Sequence, residues 1–362
     1  MALRAVPAVA RSTPQGARRT EVTSDFAELM VRVRALGLLR RRRGAYAIRS
    51  AALGAALVVT VAAVVWVGDS WYQLVVAAAL GVVLSQFGFL SHDAAHRQIF
   101  ESNRANEWNA RLVSTLVIGL SYGWWVKKHN QHHRSPNQIG RDPDIAPGGL
   151  VFTAEEARSR SPLLRRLSRH QGQLFFPMLL FEGLNLHVAG VRTLLQRPDL
   201  RHRALEGGLI AVHFGAYLAV LLLVMTPGRA AAFVGVQMAT FGLLLGAAFA
   251  PNHKGMPIVP RDLKIDFLRR QVLMSRNVRG GRFVDLAMGG LNYQIEHHLF
   301  PSMPRDNLRH ARFVVRAYCL EKDIPYTETS LVASYAIVIR YLNVVGLGQR
   351  DPFSCPFVAD YR

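Results

Sequence analysis

Four stretches of this chain are long enough to cross a lipid bilayer and carry almost no charge: residues 50–67, 71–90, about 206–226 and about 230–250. A span needs about 20 predominantly apolar residues. Inside hydrocarbon the backbone must satisfy its own hydrogen bonds, so each stretch is read as a helix. Gly68-Asp69-Ser70 joins the first pair and Thr226-Pro-Gly-Arg-Ala230 joins the second. Both links are short, which makes two transmembrane hairpins. The expected fold is therefore all-α and integral to the membrane, with interfacial helices and a cytosolic helical cap around four spans.

The remaining segments are placed by composition. Residues 1–25 are rich in Ala, Arg, Thr, Pro and Gly and read as a disordered tail. Residues 26–330 form one membrane domain, and 331–362 a C-terminal cytosolic extension. Residues 26–49 read as an amphipathic helix ending in four consecutive arginines, Arg40 to Arg43, and Arg49. Residues 112–125 are apolar but short for a span, which suggests a re-entrant or interfacial helix. Residues 172–191 mix Phe175, Phe176, Leu179, Leu180 and Phe181 with Glu182, Asn185 and His187, as suits a helix in the interface.

Charge gives the orientation. The chain has 44 Lys and Arg against 24 Asp and Glu, a net charge of +20. These basic residues flank the spans and form no stripe on a soluble domain, which argues against nucleic acid as a partner. The two loops on one side of the four spans carry only Asp69 and Arg229. By the positive-inside rule the other side, with both termini, faces the cytosol. A bacterial inner membrane is the expected location. Two widely spaced cysteines, Cys319 and Cys355, give no sign of a disulfide framework.

The chemistry lies in the histidines. Seven of 13 fall in three short words: His92-Asp-Ala-Ala-His96, His129-Asn-Gln-His132-His133 and Gln294-Ile-Glu-His297-His298. All three words, and His253 after the fourth span, fall on the cytosolic side of the topology. Residues four apart on a helix share a face, so His92 stacks with His96. His129 stacks with His132, and His133 is offset by about 100 degrees. Burying that many unpaired imidazoles would be costly, so a shared metal site is the reading. Imidazole does not choose among Fe, Zn, Cu and Ni. Seven or eight such ligands exceed what one ion uses, which favours two.

The words HDAAHRQIF, HNQHHRSPNQIGRDPDI and LNYQIEHHLFPSMPR resemble the membrane fatty acid desaturase superfamily. The Gln-x-x-His-His form of the third resembles its front-end and linoleoyl-CoA-type branch, which includes bacterial acyl desaturases. The likeness runs over roughly residues 50–330. It implies a non-haem di-iron centre ligated by His92, His96, His129, His132, His133, His297 and His298, with His253 at a place where relatives supply one more ligand. Gln294 is implied as a weak ligand or as an orienting neighbour, and Asn252 as a holder of metal-bound water. Asp93, Glu296, Asp142 and Asp144 are candidates to accept the second N–H of a ligating ring. His187 is given a structural or supporting place, and His170, His202, His213 and His310 no metal role. No catalytic residue is expected beyond the metal centre.

The implied reaction is O2-dependent introduction of a cis double bond into a fatty acyl chain carried on CoA, carrier protein or phospholipid. Ala146-Pro-Gly-Gly149 lacks the histidine of the His-Pro-Gly-Gly run of fused cytochrome b5 domains. A separate electron donor is therefore expected, a ferredoxin or a flavin or iron–sulfur reductase. A membrane lipid hydroxylase or related monooxygenase is the alternative with the same metals. A zinc hydrolase or receptor would need a seven-helix bundle, and a metal transporter would place its ligands within the spans.

Overall fold

Length and hydropathy select four helices able to cross a membrane, and they form the body of the molecule: Arg43–Val67, Gln73–Ala95, Arg203–Val224 and Pro227–His253. The computed structural model describes residues 24–349. Most of the expected tail, the distal part of the C-terminal extension and Cys355 lie outside that range. In chain order the helices are α1 (Asp25–Ala35), α2 (Arg43–Val67), α3 (Gln73–Ala95), α4 (Asn103–Leu112), α5 (Tyr122–Arg134), α6 (Ala154–Ser159), α7 (Pro162–Ser168), α8 (Gln171–Leu179), α9 (Glu182–Gln196), α10 (Arg203–Val224), α11 (Pro227–His253), α12 (Phe267–Leu273), α13 (Gly281–Ala287), α14 (Gln294–Leu299), α15 (Arg305–Glu321) and α16 (Leu331–Gly346). Two three-residue strands, β1 (Asn277–Arg279) and β2 (Glu328–Ser330), pair in parallel.

The inner spans are α3 and α11. Ala77, Leu80, Leu84 and Phe87 of α3 share one core with Phe233, Phe241, Leu245 and Ala248 of α11. Their crossing is close because Gly81 has no side chain: a Cβ there would lie 2.7 Å from the Thr240 Cβ and 2.8 Å from the Gln237 carbonyl. The outer spans leave Val58, Val59 and Val65 of α2 and Leu222 and Leu223 of α10 exposed. Apolar residues on that outer face belong against lipid. At the far end the two hairpin loops meet. Asp69 accepts the Thr226 N–H at 2.9 Å and pairs with Arg229 at 2.5 Å. The histidines gather at the opposite end, where α1, α12, α14 and α15 form a cap around a second core that includes Leu29, Met274, Ile295 and Tyr318. The apolar helix α16 packs Val338, Tyr341, Leu342 and Val345 into a third core with Phe175 and Leu179 of α8.

Several segments differ from their expected form, each for a local reason. Residues 26–49 are two helices, because Gly37 adopts a left-handed φ of 67° and α2 starts afresh at Arg43. Residues 112–125 are also interrupted: α4 continues as a π-helical turn over Val113–Ile118, stops at Gly119, and α5 starts beyond Ser121. Residues 172–191 are two helices bent by 71°. Pro177 lies inside the first of them, and a proline there removes an intrahelical donor. The spans α3 and α11 extend further than expected, so His92 sits on the last turns of one and His253 on the last residue of the other.

Candidate metal centre

Four helices deliver eight imidazoles to one buried place. His92 is on α3 and His96 caps its C-terminus; His129, His132 and His133 are on α5; His253 ends α11; His297 and His298 are on α14. They divide into two groups by the approach of their ligand atoms. One nitrogen from each of His92, His96, His129, His133 and His297 lies within 4.8 Å of the others. A second group of the same tightness contains His132, His253 and His298.

Within the groups the ring nitrogens lie at hydrogen-bonding distance from one another, and each such contact can hold at most one proton between two neutral rings. His96 Nε2 is 2.8 Å from His129 Nε2, which is 3.0 Å from His133 Nε2. His133 Nε2 is in turn 3.1 Å from His297 Nε2. In the second group His132 Nε2 is 3.3 Å from His253 Nε2. Burial, and then the crowd of like rings, holds the pKa of His96, His129, His133, His297 and His298 well below the ordinary value. These rings are therefore neutral at pH 7, each with a lone pair to offer.

Their other nitrogens show which lone pair points inward. His253 Nδ1 donates to the Met274 carbonyl at 2.9 Å. His298 Nδ1 is 2.9 Å from Gln271 Oε1, which leaves the buried Nε2 without a partner. His92 Nε2 is likewise buried and unpartnered. His132 Nδ1 lies 3.0 and 3.1 Å from the two oxygens of Asp142. Asp142 is itself fixed by the Asn137 N–H at 2.7 Å and the Asp144 N–H at 2.9 Å. Burial acts to lower the His132 pKa, but Asp142 and Asp144 outweigh it and the net shift is upward. A carboxylate behind a ring of this kind fixes its tautomer and strengthens it as a ligand. Converging neutral lone pairs repel unless a cation lies among them. The residues thus fit two borderline divalent ions, one beside five imidazoles and one beside three.

The supporting residues divide by what they touch. Asp93 Oδ1 is 3.5 Å from His92 Nδ1, and its Oδ2 accepts from Arg305 Nε at 2.5 Å and the Tyr46 hydroxyl at 3.0 Å. Asp144 pairs with Lys128 at 2.5 Å, and its backbone carbonyl accepts from Lys254 at 2.9 Å. Gln294 lines the second group, with Nε2 2.9 Å from His253 Nε2 and Oε1 turned to Asn252 at 3.3 Å. Asn252 Nδ2 also reaches the Ala248 and Leu291 carbonyls, while its Oδ1 is buried and unpartnered. Glu296 faces away from the rings, accepting from Asn277 at 2.7 Å and Tyr326 at 2.8 Å. Burial pushes its carboxyl up to about 7, against those two hydrogen bonds. His187 lies apart from both groups, its ring nitrogens facing the Gly183 and Ile118 carbonyls.

Residues 69–330, well over half of the chain, match the family described as fatty acid desaturase. The chain belongs to the fatty acid desaturase family. It is 28% identical over 333 residues to the acyl-lipid (9-3)-desaturase of Physcomitrium patens, covering 90% of this chain and 63% of the relative. It is 31% identical over 290 residues to the Delta(6)-fatty-acid desaturase fat-3 of Caenorhabditis elegans, covering 75% and 64%. With the Delta(5) fatty acid desaturase fat-4 of the same animal the identity is 30% over 345 residues, covering 92% and 76%. The chain thus spans somewhat under two thirds of the length of the first two relatives.

Membership fits a metal-dependent membrane protein with histidine groups able to hold ions. Three residues around them carried no sequence signal of their own, Tyr46, Gln271 and Asn277, and a fourth, Arg305, stood only as the last residue of the word LNYQIEHHLFPSMPR. Each acts through a long-range contact, such as Gln271 Nε2 donating to the His133 carbonyl at 3.0 Å while its oxygen meets His298. Trp125 and Phe249 complete the surroundings. Trp125 stacks on His129 at 4.5 Å between centroids, and Phe249 lies 6.2 Å from His92 and 6.4 Å from His129.

Proposed function

We propose that this chain is an O2-dependent fatty acyl desaturase with two non-haem irons. The observation that carries it is the convergence of eight buried imidazoles from four helices into adjoining groups of five and three. His92, His96, His129, His133 and His297 would hold one iron, and His132, His253 and His298 the other, with Gln294 and Asn252 alongside. When bound, such a pair supplies O2 reduction and the removal of two hydrogens from adjacent methylenes. The chain's own residues bind and orient. Asp142 and the Met274 carbonyl keep the His132 and His253 lone pairs inward, and Gln271 does so for His298.

Trp125 and Phe249 are half-buried aromatic rings over His92 and His129. They form an apolar wall along which an acyl chain can lie, and they exclude water from the reacting methylenes. The names of the relatives, among them acyl-lipid (9-3)-desaturase and Delta(6)-fatty-acid desaturase, support a fatty acyl substrate. Electrons would come from a separate ferredoxin or reductase on the cytosolic face, where Arg134, Arg141 and Arg261 are exposed. Complementary charge there would draw in an acidic carrier.

The test is expression of the full chain with a ferredoxin and its reductase in a host of defined fatty acid composition. The expected result is a new fatty acid two hydrogens lighter than its precursor, with the double bond at one position. A product heavier by one oxygen would replace desaturation by hydroxylation. An unchanged profile with a competent donor would contradict both.

A further inference from the structure

Between α4 and α5 the backbone leaves regular α-helix, and side chains from two other helices hold it there. The π-helical turn Val113–Ile118 ends at Gly119, whose φ of 85° is left-handed. The Leu116 carbonyl faces His213 Nδ1 at 3.0 Å and the Ile118 carbonyl faces His187 Nε2 at 3.0 Å. His213 is ten residues into the α10 span, about 15 Å along it. The turn therefore lies at membrane depth, where an unbonded carbonyl is costly and irregular backbone survives only when protein partners serve it.

Past the break, the first N–H groups of α5 have no partner inside their own helix. Glu206, on the first turn of α10 and wholly buried, serves them. Its two oxygens each lie 3.1 Å from the Gly123 N–H, and one accepts the Ser121 hydroxyl at 2.7 Å. Ser121 Oγ in turn accepts the Trp124 N–H at 3.2 Å. A negative charge also suits a helix N-terminus. Arg111 pairs with Glu206 at 3.2 Å and with Glu107 at 2.7 Å. The helix capped in this way carries His129, His132 and His133.

We propose that Glu206 is a positioning residue for the metal centre: by fixing where α5 begins, it fixes the depth at which the three histidines of that helix meet the others. The proposal rests on the two-metal reading above. Productive ligand geometry tolerates displacements of only about 0.5 Å, so a start that slips along the helix axis moves all three rings out of reach together. The competing role for Glu206 is as counter-charge for the buried Arg111 alone.

Two conservative variants separate these roles. Glu206→Gln keeps the arm's length and an accepting oxygen but loses the charge. Glu206→Asp keeps the charge but shortens the arm by one carbon–carbon bond, about 1.5 Å. The experiment is a cobalt(II) titration of the purified full chain in detergent, reading both affinity and the visible absorption of the bound ion. The expected result is affinity within about threefold of wild type for Glu206→Gln. For Glu206→Asp it is a loss in the 10- to 100-fold range typical of disturbed ligand support, with an altered spectrum. Glu206→Asp failing to fold while Glu206→Gln binds cobalt would also support the proposal. It is overturned if the aspartate variant binds as well as the glutamine variant, if neither differs from wild type, or if Glu206→Gln fails to fold. Wild-type chain that takes up no cobalt would instead sink the metal-centre reading beneath it.

Discussion

Replacing His132 by leucine is expected to lower bound iron from two per chain toward one and to reduce product formation by at least about a thousand-fold, since a catalytic metal supplies several kcal/mol of transition-state stabilisation. The asymmetry of the two groups singles out this residue. The larger group has five imidazoles and keeps four when one is lost, whereas the smaller has three and keeps two. His132 is also the ring braced by Asp142. Its loss leaves that buried carboxylate with only the Asn137 and Asp144 N–H groups as partners. His129→Leu is the comparison, expected to retain more iron because its group is larger. Iron is measured by mass spectrometry against protein quantified by amino-acid analysis, and product by the fatty acid profile. Equal iron loss from both variants would contradict the division into two groups.

Removing Arg305 is expected to give the largest loss of stability. Arg305 and Asp93 are both buried and pair at 2.5 Å, behind His92 and beside Tyr46. Arg305→Met leaves a buried carboxylate without its counter-charge, which costs about 3–5 kcal/mol. At about 2–4 °C per kcal/mol, the expected fall in Tm is roughly 10 °C. Asp93→Asn combined with Arg305→Met removes both charges, and the neutral amide still accepts the Tyr46 hydroxyl. Such a double replacement is often close to neutral, so most of the lost Tm should return. Thermal unfolding in detergent reads both variants. A double variant no more stable than Arg305→Met would show that the ion pair is not what holds α15 to α3.

The four spans and the two hairpins were legible because bilayer thickness imposes a length and an absence of charge that few other structures share. Asp69 and Arg229, the only charges on the far loops, meet each other, as two loops at one end of a bundle allow. The three histidine words were legible because several imidazoles at helical spacing have few other uses. What the sequence did not disclose were partners fixed only by the tertiary fold. Arg305 stands 212 residues from Asp93, and Glu206 stands 85 from Ser121. Nothing local marks either as a partner. The interruptions at Gly37, Gly119 and Pro177 were written in the sequence as breakers, but broad hydrophobic windows smoothed over them. Glu296 shows the opposite failure. Adjacency to His297 suggested support for a ring, yet the helix turns its side chain toward Asn277 and Tyr326. His187 and His213 show why a histidine count alone misleads, since both face backbone carbonyls of the α4–α5 break.

Iron K-edge X-ray absorption on the purified chain, with iron counted per protein, tests the metal centre most directly. Two irons per chain in a nitrogen-dominated shell, with the outer-shell scattering of imidazole rings, is the expected result. A single iron, or a shell dominated by carboxylate oxygen or by sulfur, would contradict it.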